Sequence, residues 1–460
     1  MRHEWVKIQH KQKSQADCPE HKTAAERHAR LAVLRRMIIE HESEWVGALA
    51  EDLGKSPIDA YVSEIGPLLA EIDDLDRHID RWMRPQRRIT SRLMPMTIQT
   101  IRQPYGSILI ISPWNYPILL ALVPLAGALA AGNACFIKPS EQAPACSRLL
   151  VHLISQSFSP DDVFVVEGDG QVASDLLGLP WDFIFFTGSQ RIGRVISEAA
   201  ARFITPLILE LGGRNPCVIL DEHPSQDSIR QIVWGKFFNC GQTCVAPDYL
   251  LVPAASAERI LKTLAETVVD LYGADPRQSP DYGRIVSEQH WKRLTYLLRE
   301  GEIVLGGESD RDSRYLSPTI ITGVPEDSPL LQDEIFGPVL PVLTYHGIDD
   351  LRPFLAGRPS PLTTYLFSRD RHLIRSLLPG IRSGSVMINQ VMRQAASPKI
   401  AFGGIGESGY GRYHGKASFE AMSWQQPVVR SVPWPTPRLR YPPYDRRLYH
   451  WIRRFRRWLY

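Results

Sequence analysis

The sequence predicts an α/β protein built on two parallel-sheet regions with a small extended segment attached. Three observations predict it. Short apolar runs alternate with helical segments from Gly106 to about Leu211, and a second alternation runs from Gly213 to about Gly384. Between residues 84 and 103 the texture turns basic, with Pro and Thr, as in extended arms. Strand–helix alternation on this scale builds parallel sheets, and 460 residues suffice for two or three domains with substantial cores.

Taken in order, residues 1–22 are polar and are expected to be disordered or loosely attached; they contain no apolar stretch of the kind a secretory signal needs. Helical periodicity follows from Ala24 to Trp82, with Leu31, Leu34, Met37 and Ile38 on one face. The stretch 107–137 is apolar enough for its length to suggest a membrane span. Pro113, Asn115, Pro117, Pro124 and Asn133 interrupt it, so it reads as a strand over 107–112, a helix over about 117–131 and a strand over 134–138. FIKPS, DVFVVEG and WDFIFFTGS read as further strands of a sheet of the nucleotide-binding kind. In the second region, strands fall near 216–220, 249–252 and 340–344. After Trp424 the chain becomes Pro-rich, then basic and aromatic.

Composition narrows the function. A net charge of +3 gives no reason to expect nucleic acid. Six cysteines, at 18, 135, 146, 217, 240 and 244, show no paired spacing, which suggests a reducing, cytoplasmic setting where a thiol is free for catalysis. No metal-ligand set is read.

Four separated signals carry chemistry. In FNCGQTCVAP, Cys244 lies in a Gly-containing loop that can present sulfur to a cleft, with reactivity set by how far the thiolate is favoured there; the alternative is a buried structural thiol. In LELGG, Glu210 sits among leucines at a strand end, where apolar surroundings raise a carboxyl's pKa and suit a general base; the alternative is a paired structural carboxylate. In PWNYP, flanking prolines hold Asn115, whose amide can donate to an oxyanion; alone, the motif is a turn. FTGSQRIG reads as strand, turn and helix N-terminus, a phosphate-attracting arrangement to which Ser189 adds a hydroxyl.

Together with GNACFIKPSE, EIFGP and FGGIGESG, these motifs occur in the order that resembles the NAD(P)-dependent aldehyde dehydrogenase superfamily. DLGKSPIDAYVSEIG, GQTCVAPDY and YHGKASFE are similar to its class-three branch of fatty, aromatic and coniferyl-aldehyde-type dehydrogenases. The resemblance implies the aldehyde dehydrogenase fold: a Rossmann-like cofactor domain (1–82 and 103–212), an α/β catalytic domain (213–400) and oligomerisation arms (83–102 and 422–433). It implies a homodimer and oxidation of an aldehyde, lipophilic aliphatic or aromatic, to the acid through a thiohemiacetal and a thioester on Cys244. Asn115 and the Cys244 N–H would hold the oxyanion, and Glu210 would activate water.

For NAD or NADP, the resemblance implies ribose contacts from Lys138 and Glu141, a pyrophosphate contact from Ser189, close packing at Gly188 and Gly193, and nicotinamide positioning by Glu334 and Phe336. Glu141 should repel a 2′-phosphate and favour NAD. Tyr116, Leu120, Trp234 and Phe402 correspond to tunnel-lining regions, with core packing as the alternative for each. Departures occur at Gln390, Gln394 and Ala401, beside the expected substrate-side loop. Cys240 is expected to pack in its loop rather than form a disulfide with Cys244. A CoA-acylating reaction and an idle membrane-tethered scaffold compete with this reading. Glu210 argues against the first, and the intact Cys244, Glu210 and Asn115 against the second.

Residues 441–460 form a basic amphipathic segment. Asp445 can cap a helix carrying Leu448, Trp451, Ile452, Phe455, Trp458 and Leu459 on one face, with Arg446, Arg447, Arg453, Arg456 and Arg457 largely elsewhere. This pattern fits a helix lying on a membrane surface, and so a cytoplasmic protein peripheral on the inner membrane face. Docking on a dimer partner is the alternative, disfavoured because it would leave many arginines in a dry interface.

Overall fold

The computed structural model describes residues 2–18, 23–90, 96–431, 441–444 and 446–454. Its first sheet has six strands in the spatial order Gly409–Tyr410, Leu207–Leu211, Phe183–Gly188, Ser107–Ile111, Ala134–Lys138 and Val163–Val165. All neighbours run parallel except Gly409–Tyr410, which pairs antiparallel with Leu207–Leu211. Ser107–Ile111 and Ala134–Lys138 are buried at every position. Burial on both faces is why such strands read as unbroken apolar runs rather than alternations.

The helix Leu119–Ala131 is buried along its whole length and packs against the helices Ala24–Glu40 and Gly66–Met83. It ends at Gly132, in the left-handed conformation, where the buried Arg27 guanidinium donates to the Ala130 carbonyl at 3.1 Å. A cation at a helix C-terminus satisfies carbonyls left without intrahelical donors. The 107–137 stretch is thus a strand–helix–strand core unit. Among the described residues no helix is long and apolar enough to cross a membrane.

The second sheet has seven strands in the order Glu302–Leu305, Thr319–Thr322, Val339–Tyr345, Tyr249–Pro253, Pro216–Ile219, Thr363–Phe367 and Ser385–Ile388. The third unit is a three-stranded antiparallel sheet of Gln86–Thr90, Met96–Pro104 and Ser423–Ser431. The α/β architecture with a separate extended sheet therefore stands as the sequence predicts.

One expectation is overturned. Residues 2–17 are not loosely attached but form the helix Arg2–Asp17, whose Trp5, Ile8, Gln9 and Gln12 are buried. Gln12 Nε2 donates to the carbonyls of Cys135 and Pro160, each at 3.0 Å, while its Oε1 accepts from Ser107 Oγ at 2.6 Å. Two apolar side chains and a fully bonded glutamine dock this helix. That pattern is too sparse to register as hydrophobic periodicity.

The tail forms the helix Arg446–Arg454, on which Tyr449, Trp451 and Ile452 are exposed. The proposed cap Asp445 and the residues Phe455, Arg456, Arg457, Trp458 and Leu459 lie outside the described residues.

Candidate active site

The site is built where adjacent parallel strands end. PWNYP leaves the carboxyl end of Ser107–Ile111; its neighbours Ala134–Lys138 and Phe183–Gly188, on either side, lead into KPSE and FTGS. A crevice at the point where strand order reverses is the usual ligand position in an open α/β sheet. Glu210, one strand further along, stands in register between Thr187 and Gly409.

Four polar atoms in this region are buried without a hydrogen-bond partner: Ser112 Oγ, Thr187 Oγ1 and both carboxylate oxygens of Glu210. Unsatisfied buried polar groups are costly, so a cluster of them marks a place prepared for something else. Burial drives the Glu210 carboxyl well above the ordinary carboxylate range, with the Arg412 charge opposing.

Cys244 comes from the other half of the molecule, at the end of a loop with an unusual backbone. Asn239, Cys240 and Gly241 are successively left-handed, with φ of 51°, 53° and 69°. A Cβ at Gly241 would lie 2.3 Å from the Gly337 carbonyl oxygen, so the loop packs backbone to backbone on EIFGP. Cys240 is buried and free, with its sulfur toward Tyr282 and away from any pairing with Cys244.

The loop is held from several sides. Gln242, fully buried, donates to the Asn239 and Arg284 carbonyls at 3.1 and 3.0 Å and accepts from the Val286 N–H at 2.9 Å. Asn215 Nδ2 donates to the Cys244 carbonyl at 2.6 Å, and Tyr365 Oη to the Val245 carbonyl at 2.5 Å. Gln394 supports Tyr365 in turn, donating to its hydroxyl at 3.1 Å. This residue, which departs from the class-three pattern, thus lies beneath the cysteine loop.

Asn115 joins the halves. Its Nδ2 donates to the Gln242 carbonyl at 3.0 Å, and its own carbonyl accepts from Asn239 Nδ2 at 3.0 Å. Next to it, Tyr116 Oη meets Thr243 Oγ1 at 2.6 Å. Cys244, on a loop, and Glu210, at a strand end, are therefore brought near each other, with the Asn115 turn, 129 positions before the cysteine, fixed to the same loop.

The surroundings of the thiol decide how far the thiolate is favoured. Burial first, then the Glu210 and Glu334 carboxylates, push the Cys244 thiol well above its ordinary range, while the N–H groups of Cys244 and Val245 act in the opposite direction. Burial likewise pushes Glu334 up to about 8, with Asp248 adding to it. Burial thus disfavours charge on all three groups.

Lys138 Nζ lies 2.7 Å from Glu141 Oε2, so these two already form an ion pair. Ser189 is the N-cap of the helix Gln190–Ala201. A Cβ at Gly193 would meet Leu211 Cδ2 at 2.7 Å, and one at Gly188 the Phe186 ring at 2.5 Å. Both glycines therefore make room for protein side chains. The Glu334 carboxylate rests on the backbone of Gly212, and Phe336 packs edge-on to Trp114 of PWNYP at 5.4 Å.

Cys244 packs against one apolar cluster that contains Tyr116, Leu120 and Phe402. Trp234 is not in that cluster; it is 39% exposed and stacks near Phe238 at 5.1 Å. Sequence reasoning missed Tyr413, which lies close enough to Glu210 and Cys244 for their charges to act on its hydroxyl. It also missed Arg412 beside Glu210. Both lie in GRYHGK, immediately after FGGIGESG, and no spacing rule pointed to them.

Comparison with known proteins gives a consistent result. The model of the aldehyde dehydrogenase family matches residues 8–428. The chain is 46% identical to 4,4'-diapolycopene-4,4'-dial dehydrogenase of Cytobacillus firmus over 87% of its length and 88% of that protein. It is 40% identical to aldehyde dehydrogenase family 3 member A2 of Mus musculus, over 92% and 88%. The structure is similar to the substrate-bound state of Staphylococcus aureus AldH, with a TM-score of 0.95, 38% identity and coverage of 98% and 99%. It is similar as well to a Mycobacterium tuberculosis aldehyde dehydrogenase complexed with NAD+, with a TM-score of 0.83, 25% identity and coverage of 93% and 90%.

Proposed function

The chain belongs to the aldehyde dehydrogenase family and oxidises aldehydes with NAD or NADP, and from that premise we propose that Cys244, Asn115 and Glu210 carry the reaction on a lipophilic substrate. The observation that carries this reading is an orphaned carboxyl close enough for its charge to act on the Cys244 thiol, with the Asn115 amide fixed to the loop that carries that cysteine.

Cys244 Sγ adds to the aldehyde carbonyl, giving a thiohemiacetal. Asn115 Nδ2 has two N–H bonds and spends one on Gln242. The other, with the Cys244 N–H, would hold the developing oxyanion. The bound cofactor supplies a hydride acceptor. Loss of hydride leaves a thioester on Cys244, and Glu210 takes a proton from the water that hydrolyses it. The unpartnered atoms of Ser112, Thr187 and Glu210 fit a crevice that receives a polar cofactor. Lys138, Glu141, Ser189, Glu334 and Phe336 would hold it.

Three observations support a lipophilic aldehyde, aliphatic or aromatic. Cys244 packs against an apolar cluster that contains Tyr116, Leu120 and Phe402. The Cytobacillus firmus relative is named for a diapolycopene dialdehyde. The tail helix exposes Tyr449, Trp451 and Ile452 among arginines, which suits contact with a membrane surface. We place the enzyme in the cytoplasm, peripheral to the membrane. The described cysteines are free, as in a reducing compartment. A homodimer is supported by the strand Ser423–Ser431, which leaves Trp424, Val428 and Val429 exposed.

The test is cofactor reduction by purified protein with NAD or NADP and aldehydes from short aliphatic through long-chain to aromatic, beside a Cys244→Ala control. Activity on long-chain or aromatic aldehydes that vanishes in the control is the expected result. A preference for short, water-soluble aldehydes would sink the lipophilic assignment, and retained activity in the control would sink the cysteine.

A further inference from the structure

The reaction above leaves two buried charged residues of the DLGKSPIDAYVSEIG motif without a role. Lys55 follows the helix Glu42–Leu53, and Glu64 lies in the π-helical turn Tyr61–Ile65. Their side chains are 2% and 0% exposed, and Lys55 Nζ lies 2.5 Å from Glu64 Oε1. The wider i→i+5 turn is closed by the Gly66 N–H on the Tyr61 carbonyl. Such turns are rare and recur at functional sites.

Both residues reach PWNYP or the residues just after it, between fifty-four and sixty positions away. Lys55 Nζ donates to the Asn115 carbonyl at 3.4 Å and sits 4.1 Å above the centre of the Tyr116 ring. Glu64 Oε2 accepts from the N–H groups of Ile118 and Leu119 at 2.9 and 3.1 Å, where the helix Leu119–Ala131 begins. A carboxylate at that position also complements the positive end of the helix. The turn carrying Asn115 is therefore held at the asparagine's own carbonyl and again just after it by one ion pair.

Buried ion pairs seldom stabilise a fold more than well-packed apolar residues do, because two charges must be desolvated. What such a pair can do is fix one geometry, and the geometry it touches here is that of Asn115. We propose that Lys55 and Glu64 are positioning residues for the oxyanion step: they set the backbone of Asn115 so that its free Nδ2 hydrogen points at the reacting oxygen. The inference rests on the assignment of Asn115 as the oxyanion donor.

The experiment uses the full chain in four forms: wild type, Asn115→Ala, the double variant Lys55→Met with Glu64→Gln, and the triple variant. The double variant removes both charges together, keeps the side-chain volumes and leaves an acceptor for the Ile118 and Leu119 amides. Single-turnover formation of reduced cofactor is measured, with cofactor affinity and melting temperature alongside. Asn115→Ala should slow the single turnover by roughly 10²–10³-fold, as loss of one oxyanion donor does. The double variant should slow it by roughly 10–100-fold, as expected for a catalytic group misplaced by about an ångström, with cofactor affinity unchanged. In the triple variant the charge removal should add no more than about twofold to the asparagine loss, because coupled residues are not additive.

A double variant as fast as wild type, or a triple variant in which the two losses multiply, overturns the positioning role while leaving Asn115 in place. An Asn115→Ala enzyme as fast as wild type overturns the Asn115 assignment and the positioning role with it. Should the double variant fail to fold, Lys55→Arg decides. It keeps a cation on Glu64 but alters the approach to Asn115. A slowed single turnover at unchanged cofactor affinity supports the proposal, and a wild-type rate overturns it.

Discussion

Replacing Glu210 by glutamine should separate the two halves of the reaction. The side chain is 1% exposed and neither carboxylate oxygen has a hydrogen-bond partner, so glutamine enters the same space without breaking an existing bond. What it removes is the ability to take a proton. General-base catalysis contributes roughly 10²–10⁴-fold, so steady-state turnover should fall by that factor while the first turnover survives. The acylation step should not suffer, because Glu210 is one of the two carboxylates that raise the Cys244 thiol, and its removal makes the thiolate easier to form. Rapid mixing should therefore show a burst of reduced cofactor stoichiometric with sites, followed by a slow phase. Intact-mass spectrometry should find an adduct of the aldehyde less two hydrogens. The pH dependence has a definite sign. Burial raises the Glu210 carboxyl well above its ordinary range and only the carboxylate form accepts a proton, so a hydrolysis-limited kcat rises with pH in the wild type and is flat in Glu210→Gln. A glutamine variant that turns over at the wild-type rate, or one that shows no burst, refutes the assignment of Glu210 to hydrolysis.

Three further outcomes follow from the cofactor side. A Cβ at Gly212 would lie 2.0 Å from Glu334 Oε2, so Gly212→Ala should fold but displace that carboxylate, raising the KM for cofactor roughly tenfold or more, as measured by steady-state kinetics. Glu141→Gln frees Lys138 from its 2.7 Å ion pair and removes a negative charge, which should shift the NADP/NAD ratio of kcat/KM toward NADP by roughly 5–10-fold, about 1 kcal/mol; an unchanged ratio counts against a ribose-side role. Glu334 is held at about 8, above its usual 4.5, so the folded state binds its proton more tightly than the unfolded chain does. Stability then falls as pH rises between 4.5 and about 8, by at most about 1.4 kcal/mol per pH unit and by less because Glu334 is partly exposed. Melting curves of Glu334→Gln across that range should fall less steeply than those of the wild type, and parallel curves refute the shift.

The legible and illegible parts of the chain divide along a physical line. Strands such as Ser107–Ile111 and Ala134–Lys138 are buried on both faces and therefore write themselves as apolar runs. The loops at their carboxyl ends hold the prolines, glycines and lone polar residues that stand out against those runs. PWNYP, FTGS and LELGG could thus be placed at one crevice before any coordinates. The helix Arg2–Asp17 could not, because Gln12, its most buried anchor, is polar and reads as surface until Cys135, Pro160 and Ser107 are seen around it. Lys55 and Glu64 fail for the same reason: charged residues nine apart in a helical stretch look solvated. Only the packing of that stretch on the PWNYP segment buries them. The state of Cys244 is a third case. Its loop sequence left the reactivity of the thiol open, because the groups that raise it, Glu210 and Glu334, arrive from other segments of the chain. What sequence conceals here is the partner of each buried polar group, and the chemistry of this site depends on those partners. The orphaned Glu210 carboxyl is the sharpest instance: position 210 was readable from LELGG, but its lack of any hydrogen bond and the burial that raises it emerge only from the folded chain.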